Sequence, residues 1–407
     1  MNRDALVVCL RAAADSARRD LSTAVNDGRA RWAYVSPGTV RPFGNALLSN
    51  ASVAELNGLW YTLPYQGGRL DFQTAAIYLI ERALDHDAGE IIDDLLRFVS
   101  TRTIELISVR AVEGIAVGSP LELSDGFSIV PPPALPNVAE TKMVFSPHNA
   151  PKHGWGSPPS AAIVLRETFH VPFCEPPKRG ESGQTLYRAE VELDMEYALW
   201  AATLASEGAP EFRQGYDVVA SCGWPGMTSG SMRGGETFPV LVPRARPVDA
   251  DLARKLFHQL RKQQGKLDLA MSKLQASRRR NSFAERAVDL GTCLEVLLMH
   301  ESTNNTEISY KIASRAAWLL GVDGPDRVAI FKRARDLYNA RSMAVHSGMA
   351  PKEGKNYPEG VEAALNSYDK LCAAIIIKIA LQGRWPDWIK LVLNAEESFG
   401  PATIDIN

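Results

Sequence analysis

The feature that most constrains this chain is a change of texture at PVLVPRARPVDAD, residues 239–251. Upstream of it, from Thr103, come β-branched runs broken by glycine and proline: TIELISVRAVEGIAVG, LELSDGFSIVPPP and AAIVLRETFHVPF. Such runs predict strands closed by turns. Downstream, apolar residues recur at helical spacing and no strand pattern intervenes. This predicts helices over about 249–277, 282–300, 307–320, 325–346, 357–382 and 386–397. The expected fold is therefore multidomain: an N-terminal mixed α/β (α+β) region, residues 1–245, followed by an all-α helical bundle, residues 249–407. Helices are also expected over about 1–26 and 71–98, while YRAEVELDMEYALWAATLAS reads as a strand turning into a helix. At 407 residues with 45% hydrophobic content, the chain can bury more than one core.

No apolar run approaches the roughly 20 residues of a membrane span, and MNRDALVVCL has no leader pattern. A cytoplasmic protein without a membrane partner is expected. The five cysteines, Cys9, Cys174, Cys222, Cys293 and Cys372, are scattered and mostly in apolar company, which suits buried thiols in a reducing compartment. His148 with His153, and His170 with Cys174, lack the spacing of a zinc site, and no GxGxxG, GxxxxGK[ST] or GxSxG is present. No metal or cofactor is expected.

A net charge of −2 predicts no global attraction to nucleic acid, yet Asp251 to Leu290 holds ten Lys or Arg against four Asp or Glu. This patch is either a solvated helix face or a rim that touches RNA phosphates. On the second reading Arg278, Arg279, Arg280 and Arg286 are RNA-binding candidates, together with Arg335 and Asn339 further on.

The stretch DLYNARSMAVHSG, Asp336 to Gly348, carries the sharpest chemical signal. Ile330, Ala334, Leu337 and Val345 mark an apolar stripe with Phe331 and Tyr338 on its flank. Arg341 falls only about 20° from Ile330 and from Ala334 and so points into the stripe. A guanidinium there needs an anionic partner or lines a site. His346 lies about 140° round the helix, beside Lys332, Arg335, Asn339 and Ser342. Two devices would bring it to Arg341: a helix end at Gly348 and Pro351, or a second subunit.

The segments RNSFAERAVDLGTCLEVLL, ISYKIASRAAWLLG and LYNARSMAVHSG together resemble the HEPN superfamily, particularly its ApeA-like branch from bacterial anti-phage defence; the likeness covers about residues 280–382. It implies a helical bundle that dimerises so that two R-x4-6-H motifs, here Arg341 and His346, meet in one cleft. Such a cleft acts as a metal-independent endoribonuclease and a toxic effector, with transfer RNA a suggested substrate. Ser342 departs from the Asn, Asp or His often found after the arginine. The residues suit the chemistry: cutting RNA through its 2′-hydroxyl needs a base and an acid, which paired His346 side chains supply, and a planar cation, Arg341, on the phosphate. Glu295 or Asp289, on a facing helix, would orient Arg341. The N-terminal region is then expected to sense a trigger, such as a phage-derived one. The competing reading is a catalytically silent HEPN-like dimer that binds RNA or a protein. The 357–382 helix offers either a dimer seam or internal core through Val361, Leu365, Tyr368, Cys372, Ile375 and Ile379.

Overall fold

The computed structural model describes residues 1–23, 35–63, 66–146, 158–175, 189–225, 231–233, 245–300, 307–347 and 360–393. An N-terminal α/β region is followed by a helical one. The first layer is helical: α1 (Arg3–Thr23), α2 (Pro37–Leu48), α3 (Ala51–Leu56), α4 (Phe72–Arg82) and α5 (Ala88–Thr101), with β1 (Trp60–Leu63) and β2 (Gln66–Arg69) between α3 and α4. The helix expected over 71–98 is two helices. Asp71 caps α4 by accepting from the Gln73 and Thr74 amides, and Asp87 caps α5 by accepting from those of Gly89 and Glu90. Leu6, Leu10, Phe43, Phe72, Leu79, Leu95 and Trp224 are among the side chains that form the core of this layer.

Next come β3 (Thr103–Glu113), β4 (Ile115–Ala116), β5 (Leu121–Ser124), β6 (Phe127–Val130), α6 (Ala139–Phe145), β7 (Ala161–His170), β8 (Phe173–Cys174), α7 (Ala189–Ser206), β9 (Glu211–Val219), β10 (Ser231–Arg233) and β11 (Arg246–Pro247). The described part of the stretch that reads as strand-then-helix is α7. Six strands form an antiparallel sheet in the order β10-β9-β3-β7-β6-β5, and β8 joins β1 and β2 in a second sheet. Alternation along the strands divides the large sheet's burial. Ile107, Val109, Ala162, Val164, Tyr216 and Val218 pack with Val144 of α6. Val112, Ile163 and Leu165 join α7 in a different cluster.

The remaining helices are α8 (Ala250–Lys262), α9 (Asp268–Arg279), α10 (Phe283–Met299), α11 (Ile308–Leu320), α12 (Gly324–Ser347), α13 (Val361–Gln382) and α14 (Trp388–Leu393). The single helix expected over 249–277 breaks into α8 and α9 around Gly265, whose φ of 82° lies where glycine alone is unstrained. One continuous buried cluster runs from Val112, Ile163 and Leu165 through Met195 and Ala198 of α7 to Phe257, Leu274, Leu294 and Ile376. The change of texture near residue 245 is thus a change of secondary structure and not a gap in packing.

Helix α13 packs against α8, α9, α10, α11 and α12, and every residue from Leu371 to Ala380 is buried. That stretch, apolar but for Lys378, lies inside the fold. The helix's Leu365, Tyr368, Cys372, Ile375 and Ile379 are therefore intramolecular core, and Val361 packs half-buried against the same cluster. All five cysteines are free, but only Cys293 and Cys372 are buried, while Cys174 is exposed. Among the described residues no helix is long and apolar enough to cross a membrane, and no group of three or more His, Cys, Asp or Glu could hold a metal ion. His148 and His153 lie outside the described residues.

Candidate functional site

Helices α10 and α12 pack closely, and Gly291 is the reason they do so at Arg341. A Cβ built on Gly291 would stand 2.5 Å from both Cβ and Cγ of Arg341. The arginine stem therefore lies on bare α10 backbone. Glu295 sits one turn further along the same face, and Arg341 Nη2 donates to its Oε2 at 2.9 Å. The two side chains are 27% and 26% exposed, so the pair is neither sealed nor freely solvated. The Tyr338 ring closes the third side, its centroid 5.8 Å from the guanidinium carbon. Burial, reinforced by the charge of Glu295, pushes the Tyr338 hydroxyl's pKa up.

Glu295, rather than Asp289, is thus the carboxylate that orients Arg341. Asp289 is buried and accepts from Lys273 Nζ at 3.1 Å and from Arg280 Nε at 3.4 Å, which ties α9 and its exit to α10. Of the five N–H donors of a guanidinium, only one of Arg341's is committed among the described residues, and its Nε is buried without a partner. Donors remain for an anion.

The stripe behind Arg341 differs in one position from expectation. Ile330, Ala334 and Leu337 are buried and Ala340 and Ala344 continue the stripe, but Val345 is 54% exposed. Helix α12 stays regular through Ser347, so it does not end in time to swing His346 toward Arg341. On a regular helix the two stand about 140° apart. His346, Arg335 and Asn339 are exposed, and Ser342 is half-buried on the flank between. Arg335 lies over the Phe331 ring at 5.7 Å. Gly348 and Pro351 are outside the described residues.

Of the four arginines of the basic patch read as RNA contacts, Arg278, Arg279 and Arg286 are turned inward, while Arg280 is exposed, as are Arg254, Lys255, Arg261, Lys262 and Lys266. Arg278 is 7% exposed, grips Asp369 of α13 with two 2.8 Å bonds and donates to the carbonyls of Thr203 and Gly208. It bolts α9 to α13 and to the end of α7. Arg279 donates to Pro210 O at 2.7 Å, and Arg286, 13% exposed, pairs with Glu362 at 2.7 Å. Arg280, 48% exposed, faces Asp289 and Glu285. Charge runs look alike in sequence whether they face water or clamp a fold, because the carboxylates that claim them are distant in the chain.

Gly291 is the contributor that residue typing passed over, and Tyr338, read on the flank of the stripe, is the ring that faces Arg341. A glycine inside a helix costs roughly 1 kcal/mol against alanine, so one spaced four residues before Glu295 was a signal that a neighbour needs the room. Gly291→Ala is expected to lower stability by about 1–3 kcal/mol through overpacking and to displace Arg341 from Glu295. Thermal unfolding and a structure of the variant check this. A variant that is more stable, as helix propensity alone dictates, would remove the close approach from the account.

Comparison with protein-family models, with curated proteins and with solved structures found no match to this chain.

Proposed function

We propose that the chain is a metal-independent HEPN-type endoribonuclease whose site is completed by a second copy of the helical region. The observation that carries this reading is Arg341: half-buried, set on Gly291, oriented by Glu295 and left with uncommitted donors. A guanidinium in that state is prepared for a second anion, and an RNA phosphate presents the matching oxygens. His346, exposed on the same helix, is available to a neighbouring subunit.

In the proposed reaction one His346 takes the proton of the RNA 2′-hydroxyl as the oxygen attacks phosphorus. The bond to the 5′ oxygen breaks, and the second subunit's histidine protonates that oxygen as it leaves. Arg341 neutralises the non-bridging oxygens in the crowded transition state. The products are a 2′,3′-cyclic phosphate and a 5′-hydroxyl. Arg335 and Asn339, exposed on the flank that leads to His346, and the exposed Arg280 are the remaining candidates for RNA contact. Toxicity in defence would follow from cleavage of an essential RNA such as transfer RNA, under control of a trigger sensed upstream.

Because Arg278, Arg279 and Arg286 face inward and leave less cationic surface for a phosphate backbone, a second reading stands beside it, in which a silent dimer of this kind binds a protein, or RNA, without cutting. One experiment separates the two. Purified protein is incubated with end-labelled small RNA in EDTA, and the product ends are analysed. Cyclic or 3′-phosphate ends support the nuclease; RNA retained but uncut supports the silent module.

A further inference from the structure

We infer that the cleft between the six-stranded sheet and the helical bundle is a binding site for a small zwitterion of amino-acid or dipeptide type. The cleft encloses about 400 Å³ and lies between β3, α7, β9 and α9, a volume in the range of small-molecule sites. Its charged lining is Arg110, Arg213 and Arg279 against Glu192, Glu196 and Glu211. The balance of three against three favours an occupant that carries both signs.

The cationic end is built around Arg213, whose side chain is only 2% exposed. Its Nη2 donates to Glu113 at 2.6 Å, but Nε and Nη1 have no hydrogen-bond acceptor among the described residues. Glu211 stands 3.8 Å from Nη1, beyond a hydrogen bond. Buried donors left unpaired cost about 1–3 kcal/mol each, a cost that a bound carboxylate would offset. Arg279 reaches the same corner, with Nη1 3.8 Å from the other oxygen of Glu211.

The anionic end is on α7. Glu192 is engaged by Arg110, whereas Glu196, one turn on, has no cationic partner among the described residues and faces the like charges of Asp268 and Glu192. An ammonium group relieves that repulsion. Trp200 and Leu199 supply apolar wall between the two ends. This site is separate from Arg341, and either assignment can fail without the other.

The test is isothermal titration of the full chain with each of the twenty L-amino acids and with a panel of dipeptides, up to about 10 mM. At least one probe is expected to bind with one-to-one stoichiometry, and the two arms tell a free amino acid from a peptide. Glu196→Gln and Arg279→Leu are each expected to weaken that binding about tenfold or more, since each removes a charge-assisted contact. Glu196→Gln leaves the fold intact because the residue is exposed and holds no ion pair among the described residues. The proposal is overturned if no probe binds, or if binding survives both substitutions undiminished.

Discussion

Replacing Glu113 by alanine is expected to destabilise the protein by about 3–5 kcal/mol, the cost of breaking a buried ion pair on one side. Glu113 closes β3 and Arg213 lies on the neighbouring β9, and both side chains are 2% exposed at a 2.6 Å contact. Removal of the carboxylate leaves a buried guanidinium without its 2.6 Å hydrogen bond to Glu113. The pair stands where the sheet meets α7 and α9, so the loss is expected to loosen both halves in one transition. Urea unfolding of the wild type and variant measures it. The double variant Glu113→Leu/Arg213→Met should recover much of the loss, because apolar side chains of similar volume often replace a buried pair at little cost. A single variant that loses less than about 1 kcal/mol would mean that water already solvates the arginine.

Under the proposed reaction, His346→Ala is expected to lower RNA cleavage by about 10²–10⁴-fold, the usual contribution of a positioned acid–base group. The same variant should unfold within about 0.5 kcal/mol of wild type, as surface substitutions do, because His346 is exposed and makes no hydrogen bond or ion pair with the described residues. That separation makes it the cleaner probe. Arg341→Ala would remove activity too, but it also strips Glu295 of its partner on a half-buried surface. Because one chain holds Arg341 and His346 apart on α12, specific activity is also expected to fall on dilution as dimers dissociate. Cleavage undiminished in His346→Ala would remove the histidine from the mechanism, and activity independent of dilution would place the whole site in one chain.

What could be read from residue order alone was what depends on near neighbours. Periodicity located α10, α11, α12 and α13 within a few residues, and the β-branched runs located β3, β5, β6 and β7. The same local logic placed Arg341 on the apolar stripe, where it needs an anionic partner or lines a site, and offered Glu295 or Asp289 as that partner. The Asp87 cap and the left-handed Gly265 were also present in the sequence, but a pattern of apolar spacing runs across such short breaks, so each helix pair read as one. Residue order was silent where distant parts of the chain compete for the same group. Asp289 and Glu295 lie six residues apart on α10 and were equivalent as text; packing turned the first toward Lys273 and the second toward Arg341. Arg278 read as a surface cation until Asp369, far along the chain, and two carbonyls claimed it. The seam of α13 read equally as interface or core, and five surrounding helices made it core. Backbone preference and amphipathic period act over a few residues, whereas ion pairing and close packing are settled by three-dimensional proximity, which folding alone creates.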